Sequence, residues 1–245
     1  MSARIECQPC FVLHRRNFRN TSLIVEVFSA NFGRVAMVSR GARRPKSRIN
    51  ALLQVFQPLL ISWTGRGELQ TLINVEAAEF VKPLSGASYA SGYYLTELIF
   101  RLLKHDDVHE DLFSSYANAL TALRSAGGDS QAAEICLRLF EKQLLQELGY
   151  GLVLDHEVNT GEGIKDDSDY YYVPEHGPVA CDSVSIPSGP KLSGRSLIAL
   201  ANEELTDKDS LRDCKRLMRT VLQGYIGDKP LQSRMLYNRR SVIKE

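Results

Sequence analysis

The sequence predicts an α+β protein: a small β-barrel over residues 1–82, then an α-helical domain over 83–245 with a loop-rich segment inserted at about 150–192. Three observations carry this prediction. Short β-branched and aromatic runs fill the first 80 residues, the apolar period changes from about 2 to 3.6 after Pro83 and Gly86, and Gly, Pro and Asp dominate the stretch after Gly149.

In the head, the strand candidates are Cys10 to Arg15, Thr21 to Phe28, Gly33 to Ser39, Gln54 to Thr64 and Glu68 to Phe80. Pro58 marks an edge or a bulge in the fourth. Five strands at short spacing, with a longer connection after the third, suit a Greek-key barrel of the OB-fold type, and an SH3-like barrel gives a similar pattern. Helices follow. Ser88 to Lys104 has Tyr89, Tyr93, Tyr94, Leu98, Ile99, Leu102 and Leu103 on a broad apolar face. Asp107 to Arg124 ends at Gly127-Gly128, and a third helix opens at the capping pair Asp129-Ser130 and runs to Leu148. The inserted segment offers a small hairpin from Tyr171–Val173 and Val179–Cys181. Helices resume at Ser193–Asn202 and Asp207–Tyr225, before a basic tail from Gly227 onward.

Charge divides the same way. The formal net charge of +1 over 245 residues hides +7 on residues 1–82, −10 on 83–228 and +4 on the last 17. A basic head, acidic body and basic tail point to an anionic partner confined to part of the molecule. The densest feature is Ser39-Arg40-Gly41-Ala42-Arg43-Arg44-Pro45-Lys46-Ser47-Arg48, five cations in ten residues with no acid. Gly41 and Pro45 break a helix, so these charges fall on a loop between strands, where they can neutralise phosphates. Arg15, Arg16, Arg34 and Arg66 extend the candidate nucleic-acid surface. Trp63, beside the Gly65-Arg66-Gly67 turn, is divided between stacking on a base and packing in the core.

Catalytic constellations are missing from the pattern. There is no G-x-S-x-G, H-E-x-x-H, Walker loop or dinucleotide fingerprint, and Asp166-Asp167-Ser168-Asp169 reads as a solvated loop. Cys7-Gln8-Pro9-Cys10 has the spacing of half a zinc site, but only His14 follows nearby. His105 and His109 lie four apart in an acidic stretch, the pattern of an exposed helix start. His156, His176 and Cys181 lack a C-x-x-C partner. No cofactor or metal is expected. Five cysteines without a paired framework, and no apolar run of membrane-spanning length, favour a reduced cytoplasmic protein. In the body, Lys208, Arg212, Lys215, Arg216 and Arg219 form one stripe on the last long helix, suited to an acidic peptide or to solvent. Arg138 could clamp a carboxylate or pair with Glu134.

Phe11–Leu13, Ser22–Phe28 (S-L-I-V-E-V-F), Gly33, Val38–Arg43 (V-S-R-G-A-R) and Phe56–Leu59 (F-Q-P-L) resemble the RecO family of bacterial DNA repair proteins, as do L-G-Y-G at Leu148–Gly151 and D-K-P-L-Q-S-R at Asp228–Arg234. The resemblance spans essentially the whole chain, with Ser39–Arg44, Leu148–Gly151 and Lys229–Arg234 its most specific blocks. It implies an OB-fold followed by a helical domain, and a recombination mediator that catalyses no covalent step. It also implies binding of single- and double-stranded DNA, annealing, recognition of the acidic C-terminal tail of single-stranded-DNA-binding protein (SSB), and, with RecR, loading of RecA onto SSB-coated DNA. Arg138, Lys215, Arg216 and Arg219 are the candidate contacts to the SSB tail. Many members carry a four-cysteine zinc site in the inserted segment; this sequence has Cys181 alone there, so zinc is not carried over. Two further classes remain open from the residues: a protein-interaction adaptor whose barrel binds a partner, and an accessory nuclease or ligase using the middle acids with Mg²⁺.

Overall fold

The computed structural model describes residues 4–181, 189–233, 235 and 236. Two compact units divide them: the residues up to Gly128 together with those from Leu231 onward, and Asp129–Pro230.

The first unit opens with β1 (Arg4–Phe18), β2 (Ser22–Ser29), β3 (Gly33–Ser39), α1 (Arg48–Leu52), β4 (Leu59–Thr64) and β5 (Leu69–Ala77). The strands close a barrel in the order β1-β2-β3-β5-β4, with β3 and β5 parallel and the other pairs antiparallel. This is the OB-fold arrangement the sequence predicts. β1 serves two neighbours. Its first half pairs with β4 and its second with β2, and irregularities at Ile5/Gln8 and Val12/His14 let it bend between them. Inside lie Val12, Val25, Val27, Val35, Met37, Leu59, Ile61 and Trp63, while Ala42 and Leu53, both fully buried, join the same core from the β3–β4 connection. α1 within that connection was not foreseen. β4 starts at Leu59, after Pro58 rather than through it.

Two helices follow in this unit, α2 (Gly86–Leu102) and α3 (Glu110–Ser125). They explain why the first strands are apolar on both faces. Phe11 and Phe28 alternate with the interior residues, yet both are buried, against Phe113 at 5.3 and 5.4 Å between ring centroids. Tyr116 stands edge-on to Phe11 at 5.1 Å, and its hydroxyl lies 2.6 Å from that of Thr96. Burial raises the Tyr116 phenol far above its ordinary value. Arg124 on α3 donates to the carbonyls of Phe56 and Lys82, fixing the helix to the chain on either side of β4 and β5. Gly33 has φ +62°, and a Cβ there would lie 2.0 Å from the Asp107 carbonyl oxygen, so this position at the end of the β2–β3 turn admits no side chain.

The second unit contains α4 (Ser130–Glu147), β6 (Asp169–Val173), β7 (Gly177–Ala180), β8 (Lys191–Ser193), α5 (Gly194–Ala201) and α6 (Lys208–Ile226). Asp129, Ser193 and Asp207 cap the three helices through side-chain oxygens. The apolar stripes of α4 and α5 pack against α6, whose Leu211, Cys214, Leu217, Met218 and Val221 are buried. The expected hairpin is β6–β7, and β8 adds an unforeseen third strand on the other side of β6. Tyr170 and Tyr172 are buried in it. No helix among the described residues is long and apolar enough to cross a membrane.

Candidate nucleic-acid interface

The cationic run leaves β3 as a loop whose backbone is fixed. Gly41 takes φ +70°, Ala42 inserts into the barrel core, and Arg43 N–H donates to the Thr21 carbonyl at 2.9 Å. Arg44 N–H returns to the Gly41 carbonyl, and Ser47 caps α1 by accepting from Asn50 N–H at 3.3 Å. The Arg43 guanidinium donates to the carbonyls of Arg19 and Asn20 at 3.2 and 3.5 Å, which ties the loop to the β1–β2 turn. Arg15 is held similarly: it donates to the Leu53 carbonyl at 2.9 Å, Gln54 Oε1 at 3.1 Å and Asn50 Oδ1 at 3.4 Å. Every one of these acceptors is neutral.

That pattern separates this end of the barrel from the rest of the chain. Arg15, Arg16, Arg40, Arg43, Arg44, Lys46 and Arg48 are exposed, and among the described residues none has a carboxylate within 4.0 Å. Uncompensated cations on a fixed backbone keep their full charge for an external anion. Arg19, in the β1–β2 turn with φ +50° and its guanidinium 5.2 Å from the Phe18 ring, belongs with them. The sequence reading omitted it, although R-R-N-F-R at Arg15–Arg19 ends a strand.

Four candidates are corrected by position. Trp63 is 2% exposed and packs edge-on against Phe32 at 5.3 Å, so its ring is core and cannot stack on a base in this conformation. Arg34 is 15% exposed at its side chain; it pairs with Glu26 at 3.1 Å and donates to the Phe100 and Leu103 carbonyls at the end of α2. Its charge serves the helix C-terminus. Arg66 is exposed, but the parallel register of Ala36 with Leu69 places the β4–β5 turn near the β2–β3 turn, whereas Leu23 pairs with Ser39 at the loop's end. Arg66 therefore lies at the opposite end of the barrel. Arg16 pairs with Ile24 and faces away from Arg15, which pairs with Val25.

The second unit's cations are largely neutralised by their own neighbours. Arg138 is buried and bonded to Glu141 at 2.7 Å, not to Glu134. Glu134 instead receives Lys215 at 2.6 Å. Arg216 pairs with Asp213 at 2.8 Å and also donates to the Lys191 carbonyl. Arg219 is exposed with no carboxylate within 4.0 Å among the described residues. Cys7 is exposed while Cys10 faces the barrel interior, where burial pushes its thiol up to about 12, so the two do not form a paired donor set. His105 and His109 approach different acids, Glu26 at 3.7 Å and Asp107 at 3.3 Å.

A closed five-stranded barrel with a cationic loop that no acid compensates among the described residues defines an OB-type head, which the chain continues into a helical body. The chain belongs to the RecO family: residues 1–81 match the family model "Recombination protein O N terminal" and residues 84–235 match "Recombination protein O C terminal". It is similar to the DNA repair protein RecO of Nitrosospira multiformis, 46% identical over 95% of each chain. It is likewise similar to that of Azoarcus sp., 43% identical over 94% of each, and to that of Coxiella burnetii, 44% identical over 96% of this chain and 99% of the relative.

Proposed function

We propose that this chain is a mediator of DNA repair and homologous recombination that binds single- and double-stranded DNA, anneals complementary strands and, with RecR, helps load RecA onto SSB-coated DNA. The observation that carries the reading is the set of six exposed cations at one end of the barrel, Arg15, Arg40, Arg43, Arg44, Lys46 and Arg48, with no acidic partner among the described residues. They neutralise phosphates without reading sequence. Two strands held this way keep their bases available for pairing, so annealing follows from charge and proximity, with no covalent step, nucleotide or metal. About six phosphate contacts give a log–log salt slope of roughly −4 on single strands. The acidic second unit repels DNA, and among the described residues Lys208 and Arg219 are the exposed cations of α6 with no carboxylate within 4.0 Å, available for the carboxylates of the SSB tail.

The test is annealing of SSB-coated complementary oligonucleotides in the presence of chelator, wild type against Arg43→Glu/Arg44→Glu. Wild-type annealing that the variant loses, with an unchanged unfolding midpoint, supports the reading. Equal annealing by both moves the DNA surface elsewhere, and annealing by neither favours an adaptor.

A further inference from the structure

The fixed guanidinium groups of Arg15 and Arg43 are two walls of a groove of about 330 Å³, completed by Asn17, Leu23 and Asn50. We propose that this groove holds one unpaired base of single-stranded nucleic acid, while the phosphates on either side lie on Arg40, Arg44, Lys46 and Arg48. The proposal rests on the DNA-binding reading above and goes beyond it, because backbone neutralisation needs none of the groove's other features.

The composition is that of a base site. Leu23 is 5% exposed and supplies an apolar floor. Asn17 pairs with Leu23 across β1 and β2 and Arg15 with Val25, so strand alternation brings Arg15 and Asn17 to the same face as the floor. The Asn17 carboxamide has no hydrogen-bond partner among the described residues, and Asn50 uses only its oxygen, to accept from Arg15. The groove thus offers unspent amide donors and an acceptor together with two immobilised guanidinium planes. Guanidinium planes stack on bases, and a carboxamide carries the donor–acceptor pair that complements a base edge. No carboxylate lines the groove. Its volume lies at the lower end of the roughly 300–1,000 Å³ range of small-molecule sites, suited to a single nucleotide rather than to a duplex. A paired base has its faces stacked and its edge occupied, so only a single strand can fill the groove. Because a carboxamide can rotate to suit different edges, the groove distinguishes a base from no base more than one base from another.

The probe is a fluorescent single-stranded oligonucleotide of about ten residues, within the 4–16 nucleotides typical of one OB-fold, compared with an otherwise identical oligomer of abasic sites, on the full chain. The wild type is expected to bind the intact oligomer about fivefold or more tightly than the abasic one. Asn17→Leu, and independently Asn50→Ala on the exposed side of α1, should reduce intact-oligomer affinity toward the abasic level and leave abasic binding unchanged. Equal wild-type affinity for both oligomers overturns the base site and leaves phosphate binding standing. Binding of neither overturns the DNA-binding reading as well.

Discussion

Arg34 shows how one side chain changes role between sequence and structure. In sequence it is one more cation of a basic head, yet its partner Glu26 stands on the neighbouring strand and its carbonyl acceptors lie 66 and 69 residues away. Removing it leaves the largely buried Glu26 without its guanidinium partner and facing His105 at 3.7 Å, so Arg34→Ala should lower stability by about 3 kcal/mol in urea unfolding. DNA affinity of the folded variant should stay near that of the wild type. Trp63 was more legible than it looked. It shares strand parity with Leu59 and Ile61, both fully buried, so alternation alone assigns it to the interior. Asn17 and Asn50 carried no signal at all, since nothing in spacing says that β1 and α1 meet beside Leu23.

Elements were legible where a single period ruled them and illegible where packing decided. The long helices were placed within about three residues of their ends, most closely where caps such as Asp129 and Asp207 announce them, and least closely at the start of α3, where His109 makes no side-chain cap. The five-residue α1 and three-residue β8 are too short to show a period. Asp207 accepts from Ser210 N–H at 2.8 Å, which holds its carboxyl below the usual carboxylate value of 3.8. Folded-state depression means this cap stabilises α6 above that value and loses its effect as pH falls through the window beneath it. Asp207→Ala should therefore cost about 1 kcal/mol at neutral pH, and the difference from wild type should vanish in acid unfolding curves. In the first unit, Glu97 of α2 accepts the backbone N–H groups of Gln232 and Ser233, both at 2.8 Å, beside the buried Leu231. The chain thus returns to the barrel unit after α6 and is clasped there. Glu97→Leu removes both acceptors, and hydrogen exchange at Gln232 and Ser233 should rise by an order of magnitude or more, consistent with about 1.5–3 kcal/mol for charge-assisted hydrogen bonds.

For the whole molecule, the division of charge was visible in the sequence, but not which charges are spent internally. Lys215 and Arg216 look as available on a helical stripe as Arg43 and Arg44 do in a loop, yet the first two meet Glu134 and Asp213 while the second two meet neutral carbonyls or solvent. Partner acids on other elements decide this, and sequence spacing does not show them. The central claim is that DNA binds at the end of the barrel formed by the β1–β2 turn and the Arg40–Arg48 loop. Its most direct test is the salt dependence of single-stranded DNA binding for the wild type, Arg43→Ala/Arg44→Ala and Arg66→Ala. The account predicts that the loop variant loses about 1.4 from the magnitude of the log–log slope, roughly 0.7 for each cation removed, while Arg66→Ala keeps the wild-type slope. An unchanged slope in the loop variant, or an equal loss in Arg66→Ala, would contradict it.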